Sequence, residues 1–164
     1  DLGFGGIVKP DPEIEYTMIH QEPFVCVVGA NHPLASRVRI HTSDLKPYTF
    51  IWRENGTVTR LKMEEMFGGF KAAPVFNNVI DVQNVETVKR LVEEGYGVTI
   101  IPEIAVRREV EDGLLKEVHL DGLDLKSSFY LLYPRKRPLS RHSRTFLRVL
   151  AEKVDMIYGN DLRV

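Results

Sequence analysis

The stretch from Asn84 to Pro102 constrains the fold more than any other part of the chain. Val85, Val88, Leu91 and Val92 share one helical face, while Glu86, Lys89, Arg90, Glu93 and Glu94 point the other way. Asn84 is the expected N-cap, with Asp81 the alternative one turn earlier. Gly95 and Gly97 supply the left-handed turn that ends such a helix. Val98 to Ile101 is then a β-branched run too short for a helix, closed by Pro102. A helix that runs directly into an apolar strand is half of an α/β repeat. We therefore expect an α/β fold with a parallel sheet covered on both faces.

The totals narrow the class. The chain has 164 residues, enough for one ordinary domain or two small lobes. A formal net charge of -1 gives no electrostatic commitment to nucleic acid or to an anionic membrane. No apolar run approaches the roughly 18 residues of a membrane span, and no signal-peptide pattern is present. The single cysteine, Cys26, excludes an internal disulfide framework and suits a reducing cytoplasm. It lies inside Phe24-Val25-Cys26-Val27-Val28, so a buried inert thiol is expected. The first residue is Asp1, not Met, and Asp1 to Ile7 already reads as a strand. The expectation is a piece of a longer chain.

Taken in order, Leu2, Phe4 and Ile7 alternate around Gly3, Gly5 and Gly6, a glycine-rich strand end at which backbone can approach a neighbour closely. It is no dinucleotide fingerprint, because Val8 stands where the third glycine belongs. Glu15 to His20 alternates weakly, and Glu22-Pro23 leads into a Phe24 to Val28 strand, with Asn31-His32-Pro33 turning the chain. His20, His32, His41, His119 and His142 have no metal-ligand spacing, and each is given a structural role. Ser43-Asp44-Leu45 is a short helical turn and Thr49 to Trp52 a compact strand. The loop Arg53 to Thr59 follows, in the position where α/β sheets bind ligands. Thr57 and Thr59 can cap the next helix, whose apolar face is Met63, Met66, Phe67 and Phe70, with Gly68-Gly69 ending it. Ala73 to Val82 contains a further strand. Pro102 to Glu111 reads as a helix with Ile104, Val106 and Val110 inward, Leu114 to Leu120 as an edge strand, and Ser127 to Tyr133 as a long apolar strand. Ser140 caps the last helix, whose core face is Phe146, Leu147, Leu150 and Val154. The basic cluster of Arg135, Lys136, Arg137, Arg141, Arg144 and Arg148 lacks interleaved aromatics and reads as a solvated face. No nucleophile elbow, phosphate loop, zinc motif or carboxylate pair appears, which favours binding over chemistry.

Several landmarks agree in order and spacing with one family. Asp1-Leu2-Gly3-Phe4-Gly5, the Glu22 to Val28 segment followed by His32-Pro33-Leu34-Ala35, and Val88 through Pro102 resemble the effector-binding domain of LysR-type transcriptional regulators. Arg107 to Leu114, Arg137-Pro138-Leu139-Ser140 and Arg144-Thr145-Phe146-Leu147 extend the resemblance over almost the whole chain. It implies a fold like type II periplasmic binding proteins: two α/β lobes joined by two crossover strands, with the first lobe incomplete. Residues 1–33 and 129–164 would form the remnant of the first lobe and residues 34–128 the second. The family's winged helix-turn-helix, linker helix and opening strands and helices would lie upstream of Asp1.

The function so implied is non-catalytic sensing of a small polar or anionic organic effector in the cytoplasm, without a cofactor, a metal or a membrane. A dimer or tetramer is expected, touching DNA only through the helix-turn-helix. An extracytoplasmic solute-binding protein is the alternative, and an enzyme of the same fold would need a catalytic group that the sequence does not display. The expected effector wall comprises Gly5 and Gly6, the Arg53, Thr57 and Thr59 loop, Gln83-Asn84 at the start of the central helix, and Ile101-Pro102 at a strand end. Arg60 is a further candidate cation, although a solvated loop charge is the simpler reading for it and for Arg53.

Overall fold

The computed structural model describes residues 2–6, 9–67, 76–124 and 126–158. Contacts divide the chain into two units, Asp1–Gln21 with Ser128–Val164, and Glu22–Ser127. Strand β2 (Ile14–Gly29) runs through both, so the two short strands read around Glu22-Pro23 are one strand of 16 residues. Pro23 is tolerated there because it is exposed and antiparallel pairing with β6 begins only at Phe24.

In the first unit, β1 (Gly3–Gly5) pairs antiparallel with β8 (Lys126–Pro134), Phe4 opposite Leu131. The N-terminal part of β2 continues the sheet beyond β8. Helix α4 (Arg141–Tyr158) belongs to the same unit, and Ser140 caps it as expected: its Oγ accepts from the Ser143 amide at 3.1 Å. Of the face read from sequence, Leu147 is buried and Leu150 half-buried, but Phe146 is not. Ser143 and Leu147 are buried, whereas Phe146 is 49% exposed. Adjacent helical residues are about 100° apart, so Leu147 turning inward leaves Phe146 on the flank, edge-on to Phe4 at 5.9 Å. The Val154 side chain, Phe70, Gly68-Gly69 and the start of the Ala73 segment lie outside the described residues.

The second unit is built on a mixed sheet. In spatial order it runs β5 (Asn78–Val82), β4 (Thr49–Arg53), β6 (Thr99–Pro102), β2, β7 (Leu115–Leu120) and β3 (Arg39–Ile40). β4 is parallel to β5 and, through the Phe50–Val98 bridge, to β6. β2 is antiparallel to both β6 and β7, and β3 is parallel to β7. The wholly parallel sheet expected from one helix–strand unit is therefore corrected: β2 reverses direction in the middle. β7 is no edge strand either, because the two-residue β3 covers its outer side. Asp121 sits beside that junction, its carboxylate taking Arg39 Nη1 at 2.9 Å and His41 Nδ1 at 3.0 Å.

Alternation explains why both faces are covered. Phe24, Cys26, Val28, Phe50, Trp52, Val98 and Ile100 face one core with Met63 of α1 (Val58–Met66). Val25, Val27, Ile51, Val82 and Ile101 face the other, with Val88 and Val92 of α2 (Val85–Glu93). Val88 and Val92 are fully buried, which contributes about 3–6 kcal/mol at ~1.5–3 kcal/mol each. An N-cap contributes only ~1 kcal/mol, so packing holds α2 and the cap sets where it begins. That cap is Asn84, whose Oδ1 accepts from the Glu86 amide at 2.7 Å. Gly95 has the left-handed φ of +79° that ends α2. Gly97 does not; it is needed because its Cα faces the Thr49 backbone with no room for a side chain. After β6 comes a 3-10 turn, Glu103–Ala105, and then the short α3 (Arg107–Glu111). The single inward-facing helix read over Pro102–Glu111 is thus broken. Val106 is buried, but Ile104 faces solvent at 48% exposure, because the tighter turn shifts its direction.

Candidate functional site

Because β4, β5 and β6 are mutually parallel, their carboxyl ends lie along one edge of the second unit's sheet. Arg53 ends β4 opposite Val82, the last residue of β5, and Ile101-Pro102 ends β6. Helices α1 and α2 both start from this edge. Six of the residues read from sequence, Arg53, Thr57, Gln83, Asn84, Ile101 and Pro102, are gathered here. The edges of open α/β sheets where strands end and helices begin are where such folds hold ligands. Gly5, at the end of β1, and Gly6 after it belong to the first unit.

Each helix start has a defined donor set. Thr57 caps α1: its hydroxyl donates to Glu54 O at 3.0 Å and accepts from the Arg60 amide at 3.2 Å. Its hydrogen is therefore committed, and the cap leaves the N–H groups of Val58 and Thr59 without partners inside the helix. Thr59 is the second helical residue and not a cap. At α2, the Asn84 carbonyl oxygen is committed to Glu86, which leaves its exposed NH₂ and the Val85 and Thr87 amides facing outward from the first turn. Glu54 N donates to Val82 O at 3.1 Å, tying the β4 exit to the β5 exit. Ile101 is buried in the α2-side core, so its contribution is the position of the strand end.

The sequence reading missed how Arg60 is used. Its guanidinium lies 3.9 Å from the Trp52 ring centroid, pairs through Nε with Glu64 at 2.5 Å and through Nη1 with Asp81 at 2.6 Å. With the side chain only 14% exposed, Arg60 is a packed, doubly neutralised group and not a solvated loop charge. The Arg60–Glu64 spacing of four was the available signal; Trp52 and Asp81 join only through the strand pairing. Among the described residues, three buried side-chain atoms here have no hydrogen-bond partner: Trp52 Nε1, Arg53 Nε and Glu64 Oε2. Elsewhere, burial pushes the Cys26 thiol up to about 12, with Glu117 adding to the effect, so it is not a nucleophile. Burial lowers the His32 pKa, and its Nδ1 accepts from the Leu34 amide at 3.2 Å, a structural use.

The fold has known counterparts. The sequence matches the family model described as LysR substrate binding domain over residues 1–155. Among curated relatives, the HTH-type transcriptional activator CmpR of Synechocystis is 28% identical over 152 residues, covering 92% of this chain and 49% of the relative. The RuBisCO operon transcriptional regulator of Allochromatium vinosum is 28% identical, with 95% and 51% covered. The chain thus spans about half the length of the curated relatives it matches. Among solved structures, the Synechocystis CcmR regulatory domain in complex with 2-PG aligns with a TM-score of 0.82 at 23% identity, covering 96% of this chain and 74% of that one. The effector-binding domain of QuiR in complex with shikimate aligns at 0.79 and 22%, with 96% and 73% covered. The shared fold is the type II periplasmic-binding-protein-like α/β fold of LysR effector-binding domains, and the comparisons favour that reading over a transport protein. Since the family match runs from residue 1 to residue 155, the chain belongs to the LysR substrate-binding domain family.

Proposed function

We propose that this chain is the non-catalytic, effector-sensing part of a cytoplasmic LysR-type transcriptional regulator. On this reading, the carboxyl edge of the second unit's sheet forms one wall of the effector site. The observation that carries it is the convergence of three parallel strand ends with two capped helix starts, where free amides and the Asn84 NH₂ gather. Such a donor set suits a small polar organic molecule. Two solved relatives, the CcmR and QuiR domains, hold 2-PG and shikimate, which are of that kind. We assign the first regulatory lobe to the unit of residues 1–21 and 128–164 and the second to residues 22–127, following the contact units. Gly5 and Gly6 are assigned to the effector wall of the first lobe.

DNA contact is assigned to a helix-turn-helix outside this sequence, and a homo-oligomer is the expected working state. Exposed Phe4, Phe146 and Val149 in the first unit give that association an apolar surface.

The test is calorimetry with a panel of small organic acids that includes 2-PG and shikimate. Asn84→Leu and Thr57→Val should each weaken binding of the best ligand about tenfold, the equivalent of ~1.4 kcal/mol. Removal of either cap also destabilises its helix by ~1 kcal/mol, so each variant is first shown to be folded at the assay temperature. If folded variants bind as the wild type does, the site lies elsewhere.

A further inference from the structure

Two arginines lie near the end of β4, and their surroundings differ in sign. Arg60 is on the α1 face, over Trp52, and has two carboxylate partners. Arg53 follows Ile51 in the alternation of β4 and so projects to the α2 face, where Ile51 and Val82 pack with Val88 and Val92. Two carboxylates of α2 and α3, Glu86 and Glu109, both pair with Lys89, at 2.9 and 2.6 Å. Among the described residues Arg53 makes no ion pair, and its Nε is buried without a hydrogen-bond partner. Val82, its partner in the ladder, stands two residues before the Asn84 cap. A guanidinium with a buried, unsatisfied N–H is therefore held at the end of the sheet from which α2 starts, and a helix N-terminus is itself electropositive. Glu86, the acidic residue in the first turn of α2, is engaged by Lys89, so an anion held between the guanidinium and the helix start would satisfy the orphaned N–H.

We propose that Arg53 is the charge-reading residue of this site. It takes a carboxylate or phosphate group of the effector in a bidentate fork, while the first-turn amides of α2 and the Asn84 NH₂ hold the remaining oxygens. The inference rests on the site assignment above and adds to it the ligand's charge and the residue that selects it. Arg60 takes no part in reading the ligand; its partners make it a positioning residue for the start of α1.

The experiment is a thermal-shift titration of the chain with inorganic phosphate, with acetate, and with chloride at matched ionic strength. Phosphate or acetate, according to which group the site prefers, should raise Tm beyond chloride in the wild type. Arg53→Gln should lose that anion's effect at least tenfold, Arg53→Lys should keep part of it, and Arg90→Gln, at an exposed site on α2, should keep all of it. In chloride alone, Arg53→Gln should melt no lower than the wild type, because it removes an uncompensated cation. A purely structural Arg53 predicts the opposite sign. The proposal is overturned if neither anion stabilises the wild type beyond chloride, if Arg53→Gln responds as the wild type does, or if its Tm in chloride falls by several degrees. Asn84→Leu separates the two readings: loss of organic-acid binding in Asn84→Leu but not in Arg53→Gln removes Arg53 and leaves the site standing. Unchanged binding in both removes the site.

Discussion

Replacing Gly97 with alanine tests how the candidate site is held together. A Cβ at this position would meet the Thr49 carbonyl oxygen head-on, with the Thr49 carbonyl carbon at 3.1 Å and Thr49 Cβ at 3.2 Å. The obstacle is backbone, so no rotamer change relieves it. β4 and the strand beginning at Val98 must move apart, which loosens the two hydrogen bonds that join them: Val98 N to Thr49 O and Ile51 N to Val98 O, both 2.9 Å. Overpacking of this kind costs ~1–3 kcal/mol, and two backbone hydrogen bonds contribute ~1 kcal/mol each. Alanine recovers ~0.4–1 kcal/mol by restricting the unfolded chain, so the net loss is about 2–5 kcal/mol. At ~2–4 °C per kcal/mol for a chain of this size, Tm should fall by about 4–20 °C. Gly95→Ala is the internal control. Its Cβ meets nothing within 4 Å, and the cost is only the left-handed φ of +79°, about 1–2 kcal/mol. Urea unfolding followed by the single tryptophan, Trp52, gives both values in one assay, because Trp52 is buried on β4. Equal destabilisation by the two alanines would refute the claim that close backbone approach, and not turn geometry, requires Gly97.

Three further outcomes are expected. Burial pulls the Glu109 carboxyl pKa upward, but the Lys89 ammonium at 2.6 Å outweighs it and holds the group below its ordinary 4.5. A depressed acid stabilises the fold above its unfolded pKa and loses that contribution as pH falls through the folded value. Urea midpoints should therefore drop below about pH 4.5, and Glu109→Gln should flatten that part of the profile. Cys26, 1% exposed and with its pKa near 12, should resist alkylation in native buffer at neutral pH and react on unfolding, as mass spectrometry would show; rapid native labelling would contradict its burial. Phe146→Ser with Val149→Ser, both side chains about half exposed, should reduce self-association measured by light scattering without lowering Tm; an unchanged mass distribution would remove this face from the interface.

The parts of the fold legible in the sequence were those governed by neighbours in the chain. Asn84, Thr57 and Ser140 cap the helices as read, because a cap is satisfied by an amide two or three residues on. The Phe24 to Val28 run is doubly buried as a continuous apolar strand should be. What escaped depended on partners far along the chain. The antiparallel course of β2 beside β6 carries no local signature, and a two-residue strand such as β3 is too short to have one. Phe146 and Leu147 cannot be sorted by hydrophobicity, only by which of them meets the sheet. The same holds at the site. The loop from Arg53 to Thr59 and the Asn84 entry could be placed at a sheet edge, but Arg53 and Arg60 look alike in sequence. The difference lies in Asp81, 21 residues beyond Arg60, and in which face of β4 each arginine occupies.

Glu22, on β2 and only 3% exposed, accepts from the Ile104 amide at 2.8 Å across a separation of 82 residues. Its side chain also lies 3.6 Å from Arg107, so one residue of β2 organises the turn that follows β6. This separates the strands of the candidate site by folding order. β4, α1, β5, α2 and β6 follow one another in sequence and close short loops, whereas β2 must be brought back over most of the unit before Glu22 finds its amide. Loop-closure entropy delays such pairings, so the parallel block forms its register first and the β2 side docks onto it late. In kinetic terms Glu22→Gln belongs to the unfolding limb: it should speed unfolding while leaving the folding rate nearly unchanged, and a slowed folding limb would place β2 in the nucleus instead. The edge that carries the candidate site would then be assembled before the strand that locks it.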